Sequence, residues 1–380
     1  MNLPNCNSPT SKAPVLVAMS GGVDSSVAAA LLVEKGHAVT GATMRLWAGS
    51  AGMSQEAPAY GDEEAVEAAR RVCHALGIPH DVLDLRQAFE TCVVEEFVRE
   101  YARGRTPNPC LLCNQEIKFG LFLQHARALG MHLATGHYAR IARGEEAGRV
   151  RYHLLRGLDR GKDQAYVLYM LDQEALAQTI FPLGGMTKAE VRAEAVRRGL
   201  PTAGRPESQE ICFIPDNDYR RFLLHRLPKP PRPGPIRDLE GRTLGTHRGL
   251  PYYTVGQRKG LGLAQQPRGD AQSAAGRPAP LFVIAIDAAE QALVVGPEEA
   301  LLRAELEAEE VTFISGQWPA APLRVEAKIR YRSPLSPATL TPLGHCRIHL
   351  EFDVPQRAIT PGQAVVFYER EEVLGGGIIC

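Results

Sequence analysis

A run of small and hydroxyl-bearing residues, Ser-Gly-Gly-Val-Asp-Ser-Ser at positions 20–26, could grip a phosphate group. The run follows an apolar segment at residues 15–19 and precedes helical spacing at residues 27–35, which predicts a strand, a loop and a helix. Gly21 and Gly22 let the backbone approach an anion, the serines offer hydroxyl donors, and the helix start presents free N–H groups. No lysine follows the glycine pair, so the loop is not of the Walker type. A glycine turn with a serine cap is the alternative, but the whole pattern favours a phosphate site.

Cysteines form the second group of residues that could do chemistry. Cys110 and Cys113 make a Cys-x-x-Cys pair, and Cys212 stands in an Ile-Cys-Phe segment much later in the chain. A helix is predicted at residues 116–129, just after the pair, and a thiol near a helix N-terminus has a lowered pKa. The thiolate is both a nucleophile and a metal ligand. Half of a structural zinc site is the alternative, although no second pair with suitable spacing stands out. Cys73 is expected in the core, and the other cysteines lie in no motif.

Strands and helices alternate in the first half of the chain, and this half must position the loop and the cysteines. Strands are predicted at residues 15–19, 38–47, 80–85 and 132–135, and helices at residues 27–35, 62–76, 87–103 and 116–129. A further helix opens with the capping-box sequence Thr-Lys-Ala-Glu at residues 187–190 and ends near Gly199. This alternation predicts an α/β fold with a doubly wound parallel sheet.

The composition changes after about Pro215, and residues 228–235 are proline-rich, as in a linker or stiff loop. Further on, alternating segments separated by proline and glycine turns predict a β-barrel or sandwich. These strands are predicted at residues 281–287, 292–296, 323–332, 347–353 and 363–369. The chain is therefore predicted to have three parts: a nucleotide domain at 1–215, a small connector at 216–280 and a β domain at 281–380.

Composition narrows the function classes. Lysine plus arginine equals aspartate plus glutamate, 43 of each in 380 residues, so any nucleic-acid binding must depend on local basic patches. No apolar run is long enough to span a bilayer, and the polar first thirteen residues do not look like a secretory signal. We expect a cytoplasmic protein without a membrane partner.

The loop at residues 20–26 resembles the PP-loop of the N-type ATP pyrophosphatases. That resemblance implies cleavage of ATP to AMP and pyrophosphate, with adenylation of a carbonyl oxygen. Asp24 could hold Mg²⁺ near the phosphates, although a hydrogen-bonding role in the turn is equally consistent with the sequence. The residues expected to contact the nucleotide are Ala18, Met19, Ser20, Gly21, Gly22, Val23, Asp24, Ser25, Met44 and Gly136.

A more specific resemblance runs through nearly the whole chain, in order. The segments at residues 20–26, 106–119, 134–138, 155–164, 211–214, 256–262, 361–368 and 374–379 are similar to those of the tRNA-specific 2-thiouridylase family. The resemblance implies thiolation of the wobble uridine in tRNAs for Lys, Glu and Gln, with tRNA and a sulfur-donor protein of unknown identity as partners. It implies contact with the target base by Asn108, Pro109 and Cys110, and further contacts to tRNA. The residues implied to contact tRNA are His137, Lys162, Asp163, Gln164, Arg330, Tyr331 and Gln363.

The same resemblance assigns the sulfur chemistry. Cys113 is implied as the nucleophile and Cys212 as the carrier of a persulfide. Position 110 in the family is commonly Asp or Cys, and here it is Cys. Cys110, Cys113 and Cys212 could therefore hold three irons of a 4Fe–4S cluster, as an alternative to persulfide chemistry. If Cys113 releases the sulfur, a Cys113–Cys212 disulfide results, which thiols must reduce.

Two other functions are compatible with parts of the sequence. A PP-loop ligase or amidotransferase for a small metabolite would explain the loop but not the cysteines or the RNA-type segments. A non-catalytic RNA-binding module with a relic loop would explain the RNA-type segments alone.

Overall fold

The computed structural model describes residues 13–47, 63–146, 148–206, 211–214, 216–263 and 280–380. The polar N-terminal segment and Cys6 lie outside these residues. From residue 13 to residue 214 the elements are β1 (Val15–Ala18), α1 (Val23–Glu34), β2 (Val39–Arg45), α2 (Glu63–Leu76), β3 (His80–Asp84), α3 (Arg86–Phe89), α4 (Glu95–Ala102), α5 (Pro109–Leu112), α6 (Leu123–Ala128), β4 (His132–Ala134), β5 (Ala139–Glu146), β6 (Arg149–Arg156), α7 (Gln173–Ala177), β7 (Thr179–Ile180) and α8 (Lys188–Arg197).

Among the described residues, five parallel strands form the sheet of the first part, in the order β3-β2-β1-β4-β7. The central strand β1 is buried along its whole length, which explains its continuous apolar sequence. The chain leaves β1 toward β2 on one side, and β4 lies on the other side, so strand order reverses beside β1. This reversal opens a crevice at the carboxyl ends of β1 and β4, where ligands bind in such sheets. The predicted doubly wound parallel sheet is confirmed.

π-Helical segments interrupt two helices in the part of the chain that the structure describes, Glu90–Val94 between α3 and α4, and Cys113–Phe122 between α5 and α6. The second helix corrects the sequence prediction, because it begins at Pro109 and not at residue 116. Proline suits the first helical position, since its missing N–H is not needed there. Asn108 caps the helix by accepting a hydrogen bond from the Cys110 N–H at 3.1 Å. Cys113 therefore lies inside the helix, not in front of it.

A four-stranded sheet of described residues forms the middle part, in the order β10-β11-β8-β9. The elements are α9 (Tyr219–Arg226), β8 (Gly234–Arg237), β9 (Thr243–His247), β10 (Phe282–Asp287) and β11 (Ala292–Gly296). The strands β10 and β11 were predicted as part of the C-terminal β domain. In the structure they pair with the middle part instead, where β11 runs parallel to β8. The domain boundaries given above stay a prediction.

The C-terminal strands close into a barrel. They are β12 (Leu302–Phe313), β13 (Leu323–Lys328), β14 (Ser336–Gly344), β15 (Arg347–Arg357), β16 (Ala364–Glu369) and β17 (Glu372–Ile379). Their order is β12-β15-β14-β13-β16-β17, and pairing of β12 with β17 completes the circle. The predicted C-terminal barrel is confirmed. The hairpin β5–β6, which the sequence analysis did not predict, extends the barrel sheet through pairing of β6 with β17.

The nucleotide domain and the barrel share one apolar core. The largest buried cluster includes Phe122 and Leu133 from the first part and Val366 and Tyr368 from the barrel. Across this contact the Tyr166 hydroxyl donates to the Ala364 carbonyl at 2.8 Å. The barrel is therefore packed against the parallel sheet, at the side where the crevice opens. None of the described helices is both long and apolar enough to cross a membrane.

Candidate nucleotide and cysteine site

A cavity of about 1190 Å³ lies at the carboxyl ends of β1 and β4. Its wall is formed by the loop after β1, the helix that begins at Pro109, the segment after β6 and the connection from β13 to β14. The predicted site residues that line it are Ala18, Ser20, Gly22, Val23, Asp24, Ser25, Asn108, Cys110, Gly136, His137, Lys162, Asp163, Gln164 and Tyr331. Residues from four distant parts of the sequence therefore meet in one space.

Hydrogen bonds among its own residues hold the loop in shape. The Ser25 hydroxyl accepts from the Ser20 N–H at 3.1 Å, and the Ser26 hydroxyl donates to the Gly22 carbonyl at 2.8 Å. Gly21 has a φ of +72°, and a Cβ there would lie 2.5 Å from the Ala65 carbonyl oxygen, so only glycine fits. Gly22 caps α1 without a side-chain hydrogen bond, which leaves the first N–H groups of the helix open toward the cavity.

Asp24, the second residue of α1, is held by two side chains from elsewhere. The Tyr138 hydroxyl donates to Asp24 Oδ1 at 2.8 Å. The Lys188 ammonium donates to Oδ1 at 2.7 Å and to Oδ2 at 2.8 Å. The carboxylate is thus held by side chains from outside the loop and does not close the turn itself. Its role toward Mg²⁺ stays a prediction.

The remaining predicted nucleotide contacts divide into two groups. Gly136 lies against the start of α1, where a Cβ would come within 3.0 Å of the Ser25 nitrogen, so a side chain would push β4 away from the loop. Met19 and Met44 are each 1% exposed and pack in the core on opposite sides of the sheet. Neither methionine is among the residues that line the cavity.

The three cysteines differ in their burial. Cys110 is exposed on the cavity wall, Cys113 is buried behind it, and Cys212 is half-buried against the same core. Cys212 is positioned by its neighbour Phe213, whose ring packs on Phe97 and Phe89 with centroids 5.4 and 5.7 Å apart. The segment around Cys212 is thus anchored next to Cys113, 99 positions earlier in the chain.

Burial controls the acidity of these thiols. It raises the pKa of Cys113 to about 11, while the positive charge of Lys118 acts in the opposite direction. Burial raises the pKa of Cys212 still further, and the negative charge that Cys113 and Cys110 would carry as thiolates adds to the rise. The expected lowering of the thiol pKa by a helix N-terminus is wrong, because Cys113 lies within the helix and away from water.

A metal cluster does not fit these residues. Within the described ranges, no group of three or more His, Cys, Asp and Glu side chains is placed to hold a metal ion. The same observation disfavours the structural zinc site considered from the sequence.

The residues predicted to contact RNA differ in their surroundings. His137 is buried between Phe119 and Phe181, and burial lowers the pKa of its imidazole well below the usual value, so it is neutral. Gln164 accepts from the Tyr138 N–H at 3.0 Å. Two predicted residues lie outside the cavity lining. The Arg330 guanidinium donates to the Arg357 carbonyl at 2.6 Å, and the Gln363 side-chain amide donates to the Thr106 carbonyl at 2.7 Å.

Several polar residues that line the cavity were missed from the sequence. They are Asn114, Lys118, Lys188, Arg192 and Arg205. Asn114 donates to the Val167 carbonyl at 2.8 Å, and its buried Oδ1 has no hydrogen-bond partner among the described residues. Lys188 stands in the capping-box sequence, which indicated a helix start and nothing more.

A parallel sheet with a glycine–serine loop at its switch point, facing a cavity, defines a nucleotide-binding enzyme of the PP-loop class. Residues 13–216 match a family model described as tRNA methyl transferase HUP domain. Residues 220–297 match a tRNA methyl transferase PRC-barrel domain, and residues 303–379 an aminomethyltransferase beta-barrel domain.

Full-length relatives narrow the class to one family. A tRNA-specific 2-thiouridylase MnmA from Roseiflexus castenholzii is 52% identical and covers 97% of this chain and 99% of its own. A protein of the same name from Heliobacterium modesticaldum is 52% identical, and the match covers 97% of this chain and 92% of its own. One from Moorella thermoacetica is 51% identical, and the match covers 96% of this chain and 98% of its own. The chain belongs to the tRNA-specific 2-thiouridylase family, a family of tRNA-uridine 2-sulfurtransferases, as the sequence analysis expected.

Proposed function

We propose that this enzyme uses ATP to convert the wobble uridine of tRNAs for Lys, Glu and Gln to 2-thiouridine. The observation that carries the proposal is the shared cavity, which is lined by both the phosphate loop and Cys110. Cys113 and Cys212 pack in one apolar core, close enough to Cys110 for the charges of the three thiolates to interact. A uridine placed between them would be within reach of both activation and sulfur transfer. We also propose that the enzyme acts in the cytoplasm, where it would meet its tRNA substrate.

The first step activates the base. The carbonyl oxygen O2 of uridine attacks the α-phosphorus of ATP, the bond to the bridging oxygen breaks, and pyrophosphate leaves with the electron pair. The loop serines and the first N–H groups of α1 bind the departing phosphates. Magnesium enters with ATP and would neutralise part of the phosphate charge. The product is an adenylated base, in which O2 has become a good leaving group.

The second step brings the sulfur. Cys212 carries a persulfide supplied by a donor protein, and either its terminal sulfur or hydrosulfide released from it attacks C2 and expels AMP. Attack of the Cys113 thiolate on the Cys212 sulfur forms a Cys113–Cys212 disulfide and frees the outer sulfur in reduced form. An external thiol must then reduce the disulfide. No step uses a metal cluster, and an anaerobic preparation without iron that is fully active would agree with this.

The proposed tRNA contacts would suit a flipped base. Lys162, Gln164 and Tyr331 line the cavity opposite the loop, with Asn108 and Cys110 at the helix start. An unpaired anticodon nucleotide costs little to flip into such a space. Arg330 and Gln363 are proposed to act on tRNA from outside the cavity.

A single-turnover anaerobic reaction of the persulfidated protein with ATP, Mg²⁺ and unmodified glutamate tRNA tests the proposal, with nucleosides read by mass spectrometry. We expect ATP-dependent replacement of one uridine oxygen by sulfur, lost in Cys113→Ala and retained in Cys346→Ala, which changes an exposed cysteine of the barrel. AMP formation without tRNA would instead indicate a small-molecule ligase.

A further inference from the structure

The barrel contributes one deeply buried cation to the cavity. Lys328, the last residue of β13, lines the cavity and is 8% exposed. No other lysine or arginine in the described ranges is as deeply buried. Burial of a charged side chain costs free energy unless a partner compensates for the lost water. We therefore expect a partner for this ammonium, either in the fold or in a ligand.

The surroundings of Lys328 are aromatic. Its Nζ lies 5.9 Å from the ring centroids of both Tyr166 and Tyr331, and no described residue offers it an acceptor within hydrogen-bond distance. The charge of Asp163 acts on Lys328, but the oxygens of Asp163 already accept hydrogen bonds from its own turn. Contact with ring faces offsets only part of the cost of burial, and burial lowers the pKa of Lys328. Its N–H groups are thus available to a ligand in the cavity.

The depth of Lys328 distinguishes it from the outer cations of the cavity. Lys162 is half-buried, and 44% of the Arg160 side chain is exposed. When a nucleotide flips, its phosphates stay with the backbone while its base enters the pocket. The outer cations therefore suit phosphate groups, and a cation at the depth of Lys328 suits the base. The Tyr331 ring beside it adds a flat surface on which a base can stack.

Uracil has two carbonyl oxygens, O2 and O4, one on each side of N3. In the proposed reaction O2 must face the nucleotide, which the loop after β1 would hold on the sheet side of the cavity. O4 is then left for a donor from another wall, and Lys328 comes from the barrel. Cytosine carries an amino group, which is a donor, in place of O4.

We propose that Lys328 is the specificity-determining residue for uracil, and that its ammonium donates a hydrogen bond to O4 of the flipped base. Cytosine would place its amino group against the ammonium, so two donors would face each other without an acceptor and the base would be rejected. Lys328 forms no covalent bond and transfers no proton. The inference rests on the proposed function, because it assigns the group that recognises the base at the same site.

Filter binding of the full chain to three glutamate tRNAs tests the inference. They carry uridine, 4-thiouridine or cytidine at the wobble position, and the nucleotide present is Mg²⁺ with α,β-methylene-ATP, which cannot release pyrophosphate. Sulfur is a weak acceptor, so 4-thiouridine weakens the contact at position 4 and keeps the N3–H. We expect the wild-type chain to prefer uridine to cytidine roughly tenfold to a hundredfold, the effect of a hydrogen bond to a charged group, with 4-thiouridine in between.

Lys328→Met replaces the ammonium by an apolar chain of similar length and should remove these preferences. The losses of affinity from Lys328→Met and from 4-thiouridine should not add, because both changes remove the same contact. The matched control is Lys35→Met, which changes an exposed lysine at the end of α1 and should keep the preferences of the wild-type chain.

Three results would overturn the inference. A wild-type chain that binds the three tRNAs equally would do so without any variant having to fold. Preferences that persist in Lys328→Met would do so as well. Equal losses of affinity for all three tRNAs in Lys328→Met would mean a contact with the RNA backbone or a purely structural role. By contrast, the expected preferences without thiolation by the persulfidated wild-type chain would count against the proposed function and not against recognition of O4 by Lys328.

Discussion

Arg156 and Asp163 form an ion pair within the cavity wall, with Arg156 Nε 3.0 Å from Asp163 Oδ2. The Asp163 side chain is 2% exposed, and its Oδ1 also accepts from the N–H groups of Gly157 and Ala165 at 2.9 and 3.1 Å. The carboxylate thus ties both ends of the turn that carries Lys162. Its contribution to tRNA binding would come from shaping this turn.

Asp163→Ala should destabilise the fold strongly, because the half-buried Arg156 and the N–H groups of Gly157 and Ala165 would lose their buried partner. Breaking a buried pair costs about 3–5 kcal/mol of unfolding free energy, measured here by urea denaturation. The comparison is Asp353→Ala, which breaks the exposed pair with Arg324 on the barrel surface and should cost far less. Similar losses of stability in the two variants would contradict the structural role of Asp163.

The sequence predicted the parallel sheet because buried strands such as β1 are short continuous apolar runs, and it predicted the loop because glycines and serines stand at a strand–helix junction. The helix start at Pro109 was missed, although an Asn-Pro pair is a suitable cap and first position. The hairpin β5–β6 was missed for a different reason. The hairpin is rich in charged residues. Its partner strand β17 lies more than 200 positions later in the chain, since Leu155 of β6 pairs with Glu372 of β17.

The site was predictable only where chemistry is local. The loop is contiguous, whereas no spacing rule links Cys212 to Cys113, and their proximity depends on the aromatic packing of Phe213. Nothing in the sequence around Lys188 indicated that it lies in the site, since lysine is an ordinary residue at the start of a helix. Burial also reversed the expected effect on the Cys113 thiol, which sequence position alone could not indicate.

Gly21→Ala should abolish ATP binding. The residue has a φ of +72°, and its new Cβ would collide with the Ala65 carbonyl oxygen, so the loop must move. Gly36→Ala is a matched control at the other end of α1, with a φ of +79° and no atom near a Cβ. It should lose only about 1–2 kcal/mol of stability from the left-handed backbone and bind ATP normally in calorimetry. Equal ATP affinity in the two variants would contradict the assigned loop.

Alkylation of Cys113 should accelerate with pH over an unusually wide range. Since burial raises its pKa to about 11, the thiolate fraction should keep rising with pH up to that value. An unperturbed thiol levels off near about 8.5. The folded state should also lose stability over this interval, because the unfolded chain releases the proton at lower pH. Peptide mass spectrometry after iodoacetamide treatment measures the rate, which Lys118→Met should reduce by removing the nearby positive charge. A plateau below a pH of about 9 would show that the thiol is more acidic than its burial implies.

Lys162→Ala should weaken tRNA binding without changing its preference among tRNAs. The lysine lines the cavity on the turn held by Asp163, where its charge suits a phosphate group of the tRNA. Removing one lysine–phosphate pair lowers the slope of log affinity against log salt by about 1, so filter binding at several salt concentrations measures the effect directly. Arg197→Ala is the comparison, because that arginine lies in the last turn of α8, at the far end from the cavity, and pairs with Glu194. It should leave the slope unchanged. If both variants lowered the slope equally, tRNA would be attracted by diffuse charge, and the turn at Lys162 would have no specific place in the interface.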